Sequence, residues 1–276
     1  MSKNWFITGA SSGFGRAMSE KLLARGDRVA ATVRREGVLD ALKDAYGDLL
    51  VVGLLDVTDV AGIRKVMAEA FAALGRIDVV VSNAAYILSG AAEEYTDAQI
   101  NQQIETNLVG SIQTVRAALP YLRAQGGGRI IQLSSEAGQA IYPNYSMYHA
   151  VKWGVEGFVE CVAKEVAPFN IDCTIVEPGA ANTSLKANRV KAPVLDVYND
   201  TPAGDMRRAV ESGEFAAPGD TDRIAQAIID STDQKPAPLR LVFGARAYTS
   251  ITTALAARLA DVETQKETAE ATDVRP

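Results

Sequence analysis

TGASSGFG, residues 8–15, ends one apolar run (Trp5–Thr8) and opens a helical pattern in which Ala17, Met18, Leu22 and Leu23 precede a stop at Gly26. Its glycines, Gly9, Gly13 and Gly15, permit a tight turn, close approach of the backbone to a ligand, and close contact between helix and strand. Ser11, Ser12 and Phe14 fill the remaining positions, and the free N–H groups of the helix start point at an anion. Glycine triplets alone are common in loops. Between a strand and a helix, at the start of a βαβ unit, they indicate a dinucleotide pyrophosphate site.

The rest of the chain keeps the same rhythm. Further strand candidates are Arg28–Val33, Leu49–Leu55, Ile77–Ser82, Arg129–Ser134, Ile171–Glu177 and Leu239–Phe243. Several are apolar almost continuously, as suits parallel strands covered on both faces. Helical patterns separate them, one opened by a capping box at Thr96–Gln99. This alternation predicts a single-domain, Rossmann-type doubly wound α/β sheet of about seven parallel strands with helices on both faces. The domain should span 1–260. Residues 180–220 are too long for a plain connection and read as a substrate lid, and 261–276 as a polar, flexible tail.

Composition excludes several functions. The chain is 276 residues long, 47% hydrophobic and 22% charged, with a net charge of -6, so it carries no basic footprint for nucleic acid or an anionic membrane. No apolar run reaches the ~18 residues of a membrane span, and no leader pattern opens the chain, so a cytoplasmic location is expected. Cys161 and Cys173 lie in apolar surroundings and read as reduced, buried thiols. No His/Cys/Asp cluster has metal-ligand spacing.

Two further stretches carry chemistry. About 20 residues after the glycines, where a carboxylate would hold a ribose 2′-hydroxyl, the chain has Arg34 and Arg35. Arg34 can grip a 2′-phosphate, which favours NADP(H) over NAD(H). In NYSMYHAVK, residues 144–152, Tyr148 and Lys152 are four apart and share a helix face. A lysine ammonium beside a phenol favours phenolate, so Lys152 should lower the Tyr148 pKa toward working pH. Tyr145 follows Pro143 and belongs to the loop before the helix as a pocket wall. His149, the single histidine, faces elsewhere and has no partner for catalysis.

These motifs, in this order over roughly residues 4–245, resemble the short-chain dehydrogenase/reductase family: the Gly-x-x-x-Gly-x-Gly turn, LDVTD at 55–59, VSNAA at 81–85, YHAVK at 148–152 and VEPGAANT at 176–183. The resemblance implies that Asp56 and Val57 bracket an adenine, that Asn83 and Ala84 lie near its ribose, and that Pro178, Gly179 and Thr183 shape a nicotinamide pocket. It implies a catalytic set of Asn107, Ser135, Tyr148 and Lys152, with Ser135 holding the carbonyl oxygen and Asn107 holding a water of the proton relay. Lys152 also holds a nicotinamide ribose hydroxyl, so Tyr148 and Lys152 count among the cofactor contacts. Ser82, Ala85 and Val151 depart from the family pattern.

The expected activity is NADP(H)-dependent interconversion of a carbonyl and a secondary alcohol on a medium-sized, mostly apolar substrate. Pocket candidates are Glu136, Ile141, Tyr142, Tyr145 and Leu185, within a broader set that includes 180–185; Glu136 and Glu177 are acidic beside the motifs and read as surface or supporting residues. A homodimer or homotetramer through helices near 99–124 and 146–168 is implied, with no nucleic-acid or membrane partner. The alternative is a catalytically silent NADP(H)-binding sensor or scaffold; a dehalogenase relative is disfavoured because Lys152 and the glycines are intact.

Overall fold

Each of the seven apolar runs becomes a strand in the computed structural model, which describes residues 2–182, 189–214 and 218–274. The strands are β1 (Asn4–Ile7), β2 (Arg28–Val33), β3 (Leu50–Leu54), β4 (Val79–Ser82), β6 (Gly128–Leu133), β7 (Ile171–Pro178) and β9 (Arg240–Phe243). They form one sheet in the order β3-β2-β1-β4-β6-β7-β9, and every pairing is parallel. Two short strands, β5 (Leu88–Ser89) and β8 (Val190–Lys191), pair separately beside the main sheet.

Helices cover both faces: α1 (Gly13–Ala24), α2 (Asp40–Tyr46), α3 (Val60–Leu74), α4 (Asp97–Gln103), α5 (Gly110–Ala124), α6 (Ser146–Val166), α7 (Pro202–Glu211), α8 (Thr221–Ser231), α9 (Ala245–Glu263) and α10 (Lys266–Ala271). Strand alternation explains the continuous apolar runs. Phe6 joins a core with Ile63, Met67, Val115, Val155 and Ile175 on one face, whereas its neighbours Trp5 and Ile7 join Met18, Leu22 and Ile228 on the other. The capping box is formed: Thr96 Oγ1 accepts from the Gln99 N–H at 3.2 Å, and Gln99 Oε1 accepts from the Thr96 N–H at 3.1 Å.

Strand order reverses direction at β1–β4, which opens a crevice at the strand C-termini. Gly9, at φ 68°, and Gly13, at φ 57°, adopt left-handed backbone conformations there. A Cβ on Gly15 would stand 2.5 Å from the Gly9 carbonyl oxygen and 2.6 Å from Asn83 Nδ2. The same loop is braced from β4, since Asn83 Nδ2 donates to the Thr8 and Gly9 carbonyls at 2.8 and 3.1 Å.

Three local features differ from the sequence expectation. Residues 261–271, expected to be irregular, are helical but for a short break, because the stretch is rich in Ala, Glu and Lys and carries an i,i+4 pair, Lys266–Glu270, at 3.8 Å. Cys173 is buried as expected, but Cys161 is exposed. Between α4 and α5 lies a π-helical turn, Ile104–Val109, invisible to an apolar-periodicity argument. Among the described residues no helix is long and apolar enough to cross a membrane.

Because the atoms facing Gly15 are backbone and a hydrogen-bonded amide, Gly15→Ala should lower stability by about 1–3 kcal/mol through overpacking. The expected result in urea denaturation is a reduced midpoint at unchanged slope; a midpoint equal to that of the parent protein would show that the turn has room to spare.

Candidate active site

The crevice is one cavity of about 1290 Å³. Loops after β1, β2 and β3 supply its first half, with Gly9, Ser11, Ser12, Gly13, Phe14, Arg34, Arg35, Asp56 and Val57 in the lining. Asn83 and Ala84 follow after β4, and Ser135, Tyr148, Lys152, Pro178 and Gly179 line the half built by β6, α6 and β7. The phosphate end fits an anion: Ser12 stands at the N-cap of α1 without a side-chain capping bond, and no acidic residue occupies the first turn. Arg34 and Arg35 are both exposed on the lining at the end of β2. Asn83 spends its amide on the Thr8–Gly9 turn, so its contribution to the cavity wall is largely that of a strut.

Of the expected site residues, Gly15, Asn107 and Ile141 do not line the cavity. Gly15 acts through close packing. Ile141 is 70% exposed outside the lining; the loop that brings Tyr142 inward turns its neighbour out. Thr183 and Leu185 lie outside the described residues. Asn107 is buried in the π turn, where its Oδ1 accepts from the Tyr86 N–H at 3.1 Å and its Nδ2 donates to the Tyr86 carbonyl at 2.8 Å. Its own carbonyl accepts from Ser111 Oγ at 2.9 Å.

Ser135, just after β6, and Tyr148, in the first turn of α6, line the same cavity, and the Ser135 hydroxyl is close enough to favour the Tyr148 phenolate. Ser134 points the other way and donates to Glu156 Oε1 at 2.5 Å, as strand alternation requires. Lys152 is buried one turn beyond Tyr148, its Nζ 5.7 Å from the phenol ring centre and donating to the Leu133 carbonyl at 2.9 Å. The expectation that Lys152 depresses the Tyr148 pKa is not met in the protein alone. Burial pushes Tyr148 up to about 12, which the neighbouring Ser135 hydroxyl only partly opposes. Burial also pulls Lys152 down to about 8, against the favourable field of Glu156.

Tyr145 and His149, the other titratable residues of NYSMYHAVK, both stand in the lining, His149 against the expectation that it faces elsewhere. Tyr145 is the N-cap of α6 and lines the cavity. His149 is buried, its Nδ1 2.8 Å from the Ala137 carbonyl and its Nε2 accepting from the Tyr142 N–H at 2.9 Å. Those two bonds assign the proton to Nδ1, and burial lowers the pKa, so the ring is a neutral buckle across the 137–142 loop.

Glu136, one of the pocket candidates, is buried in the lining, with Tyr142 donating to Oε2 at 2.9 Å, and burial raises its pKa. Sequence reasoning missed two charged groupings. Behind Lys152, Glu156 takes Gln139 Nε2 at 2.5 Å and Arg240 at 2.6 Å in addition to Ser134. Arg240 also pairs with Glu177, whose carboxyl burial pushes up to about 7. The second grouping ties α7 and Leu195 to Glu94. Arg207 of α7 holds both oxygens of the buried Glu94 at 2.7 and 2.8 Å, and Glu94 also accepts from the Leu195 and Ala91 N–H groups. The spacing Lys152–Glu156 was the one sequence signal for the first; nothing local announced the second.

The chain matches the family model for short chain dehydrogenases over residues 3–193. It is 35% identical over 245 residues to the oxidoreductase BOA17 of Botryotinia fuckeliana, covering 88% of this chain and 89% of that protein. It is also 35% identical over 277 residues to the oxidoreductase calM of Penicillium decumbens, covering 95% and 90% respectively. The crystal structure of a short-chain dehydrogenase from Streptomyces avermitilis superposes with a TM-score of 0.91 at 37% identity, over 99% of this chain and 100% of that one. With the strand order, the glycine turn and the Ser135–Tyr148–Lys152 grouping, these matches place the chain in the short-chain dehydrogenase/reductase family of oxidoreductases.

Proposed function

We propose that this protein is an NADP(H)-dependent carbonyl reductase, or in reverse an alcohol dehydrogenase, acting on a medium-sized substrate with a mostly apolar body. The observation that carries this reading is that Ser135, Tyr148 and Lys152 stand together on the wall of the same cavity that reaches Arg34. Ser11–Phe14 at the start of α1 would hold the pyrophosphate and Arg34 with Arg35 a 2′-phosphate, while Asp56, Val57 and Ala84 would flank the adenosine half. Pro178, Gly179 and Thr183 would border the nicotinamide. Bound NADPH supplies the hydride.

The protein's own groups handle the oxygen. Ser135 Oγ–H donates to the substrate carbonyl oxygen, and the Tyr148 hydroxyl delivers its proton as charge develops there. A phenol held near 12 is fully protonated at neutral pH, which suits a proton donor. Lys152 stands behind it as the ammonium that supports the phenolate left after transfer, and Asn107 anchors the route by which the proton is replaced. Tyr142 and Tyr145 supply the aromatic wall of the substrate half.

The test is oxidation of NADPH, followed at 340 nm, with a panel of ketones. Tyr148→Phe should lower kcat by ~10²–10⁴-fold while NADPH binding is retained; full activity in that variant would remove Tyr148 from the chemistry, and tight NADPH binding without turnover in the parent protein would make it a sensor. Arg34→Asp should cost ~10–100-fold in kcat/KM for NADPH and improve use of NADH, and unchanged constants for both would unseat the 2′-phosphate assignment. Lys152 must be protonated to act, so the reduction rate should be full below its pKa and fall as pH rises through about 8. Glu156→Gln removes the carboxylate that favours the ammonium, so this fall should begin at lower pH; an unmoved alkaline limb would contradict it.

A further inference from the structure

The first arm of the lid has a charge pattern that runs against the whole chain. The protein has a net charge of -6, yet the 18 residues Pro178–Leu195 contain Lys186, Arg189 and Lys191 and no acid. Lys186 lies outside the described residues. Lys191 is paired with Glu211 at 2.8 Å, and Glu211 feels the charge of Arg189 only as a weaker influence behind that of Lys191. The other nearby carboxylate, Glu94, is committed to Arg207 and two backbone N–H groups. Arg189 has no ion pair of its own among the described residues. Its Nη1 donates to the Tyr145 hydroxyl at 3.1 Å, and its Nε is buried with no hydrogen-bond partner. Both Arg189 and Tyr145 line the same cavity as Ser135 and Tyr148. Tyr145 in turn is close enough to Tyr148 to influence its ionisation.

A half-buried guanidinium without a contacting counter-ion is unfavourable unless something supplies the charge. Here the charge can come from the ligand. The other charged groups at this end are already matched: Glu136 is bonded to Tyr142 and faces Arg246, and Lys152 faces Glu156. We propose that Arg189 is a specificity-determining residue and that the substrates are oxo acids, in which an apolar body separates the reacting carbonyl at Ser135–Tyr148 from a carboxylate held by Arg189. The carboxylate supplies the missing contact ion, and the Tyr145 hydroxyl, which accepts from Arg189, can donate to the same anion.

The proposal rests on the carbonyl-reductase reading, so its test has one arm that needs no turnover. In the first arm, straight-chain medium-length oxo acids, their phosphate-bearing analogues and their methyl esters are compared as substrates with NADPH. The parent protein should prefer acid to ester by ~10–100-fold in kcat/KM, the range of a charge-assisted hydrogen bond. Arg189→Gln should erase that preference through KM for the acid, and Arg189→Lys should restore part of it. In the second arm, octanoate binding to the NADPH complex is measured by calorimetry. Parent binding that Arg189→Gln weakens at least ~10-fold supports the anion site even if no ketone turns over.

Equal use of acid and ester, equal losses for both in the variant, or no octanoate binding to the parent would overturn the proposal. So would a preference for the phosphate analogues over the carboxylates. A rise in the NADPH dissociation constant of Arg189→Gln, with acid preference intact, would assign the guanidinium to the cofactor instead.

Discussion

The structure turns on a contact in which side chains are missing. Gly9 and Gly15 let the first loop and the start of α1 close onto each other, and Asn83, just after β4, donates its side-chain amide to the Thr8 and Gly9 carbonyls. Strand order reverses at this point. The halves of the sheet are joined by β1–β4 pairing, and beyond its C-terminal end the Thr8 hydroxyl and the Asn83 amide brace the turn. The glycines that would cradle a phosphate are the ones that permit this close packing.

Burial dominates the chemistry of the other half. Tyr148 and Lys152 are both taken out of water, and each is driven toward its neutral form. For the tyrosine this preserves the proton it has to give. For the lysine it is opposed by Glu156, which the protein holds in place with Ser134, Gln139 and Arg240. Even the adjoining turn is shaped to this carboxylate: a Cβ on Gly138 would stand 1.8 Å from Glu156 Oε1. The charge on Lys152 is thus maintained by a network rooted in β7, β9 and the loop after β6, well behind the cavity.

The sheet and the glycine turn were legible in the sequence because both faces of the central strands are covered, so apolar runs and loop glycines report directly on structure. The pairing of Ser135 with Tyr148 was legible only through family resemblance, since no spacing rule links residues on different elements. Ionisation was misread for Tyr148 because i,i+4 spacing gives proximity without depth, and depth decided the outcome. Glu156 and Glu94 escaped for the converse reason: an isolated acid in sequence is ordinarily solvated, and only the fold shows which are enclosed with partners. Ile141 was misplaced because adjacent loop residues can face opposite ways.

The π turn at Ile104–Val109 makes the length of this segment a structural quantity. The wide turn takes up one residue more than an α-helical turn while rotating the chain about as far, so Val115, Ala118 and Leu122 of α5 still face the core. Losing a single residue here would regularise the helix and leave that face in place. What would be lost is local: the bulge that presents Asn107 to the Tyr86 backbone.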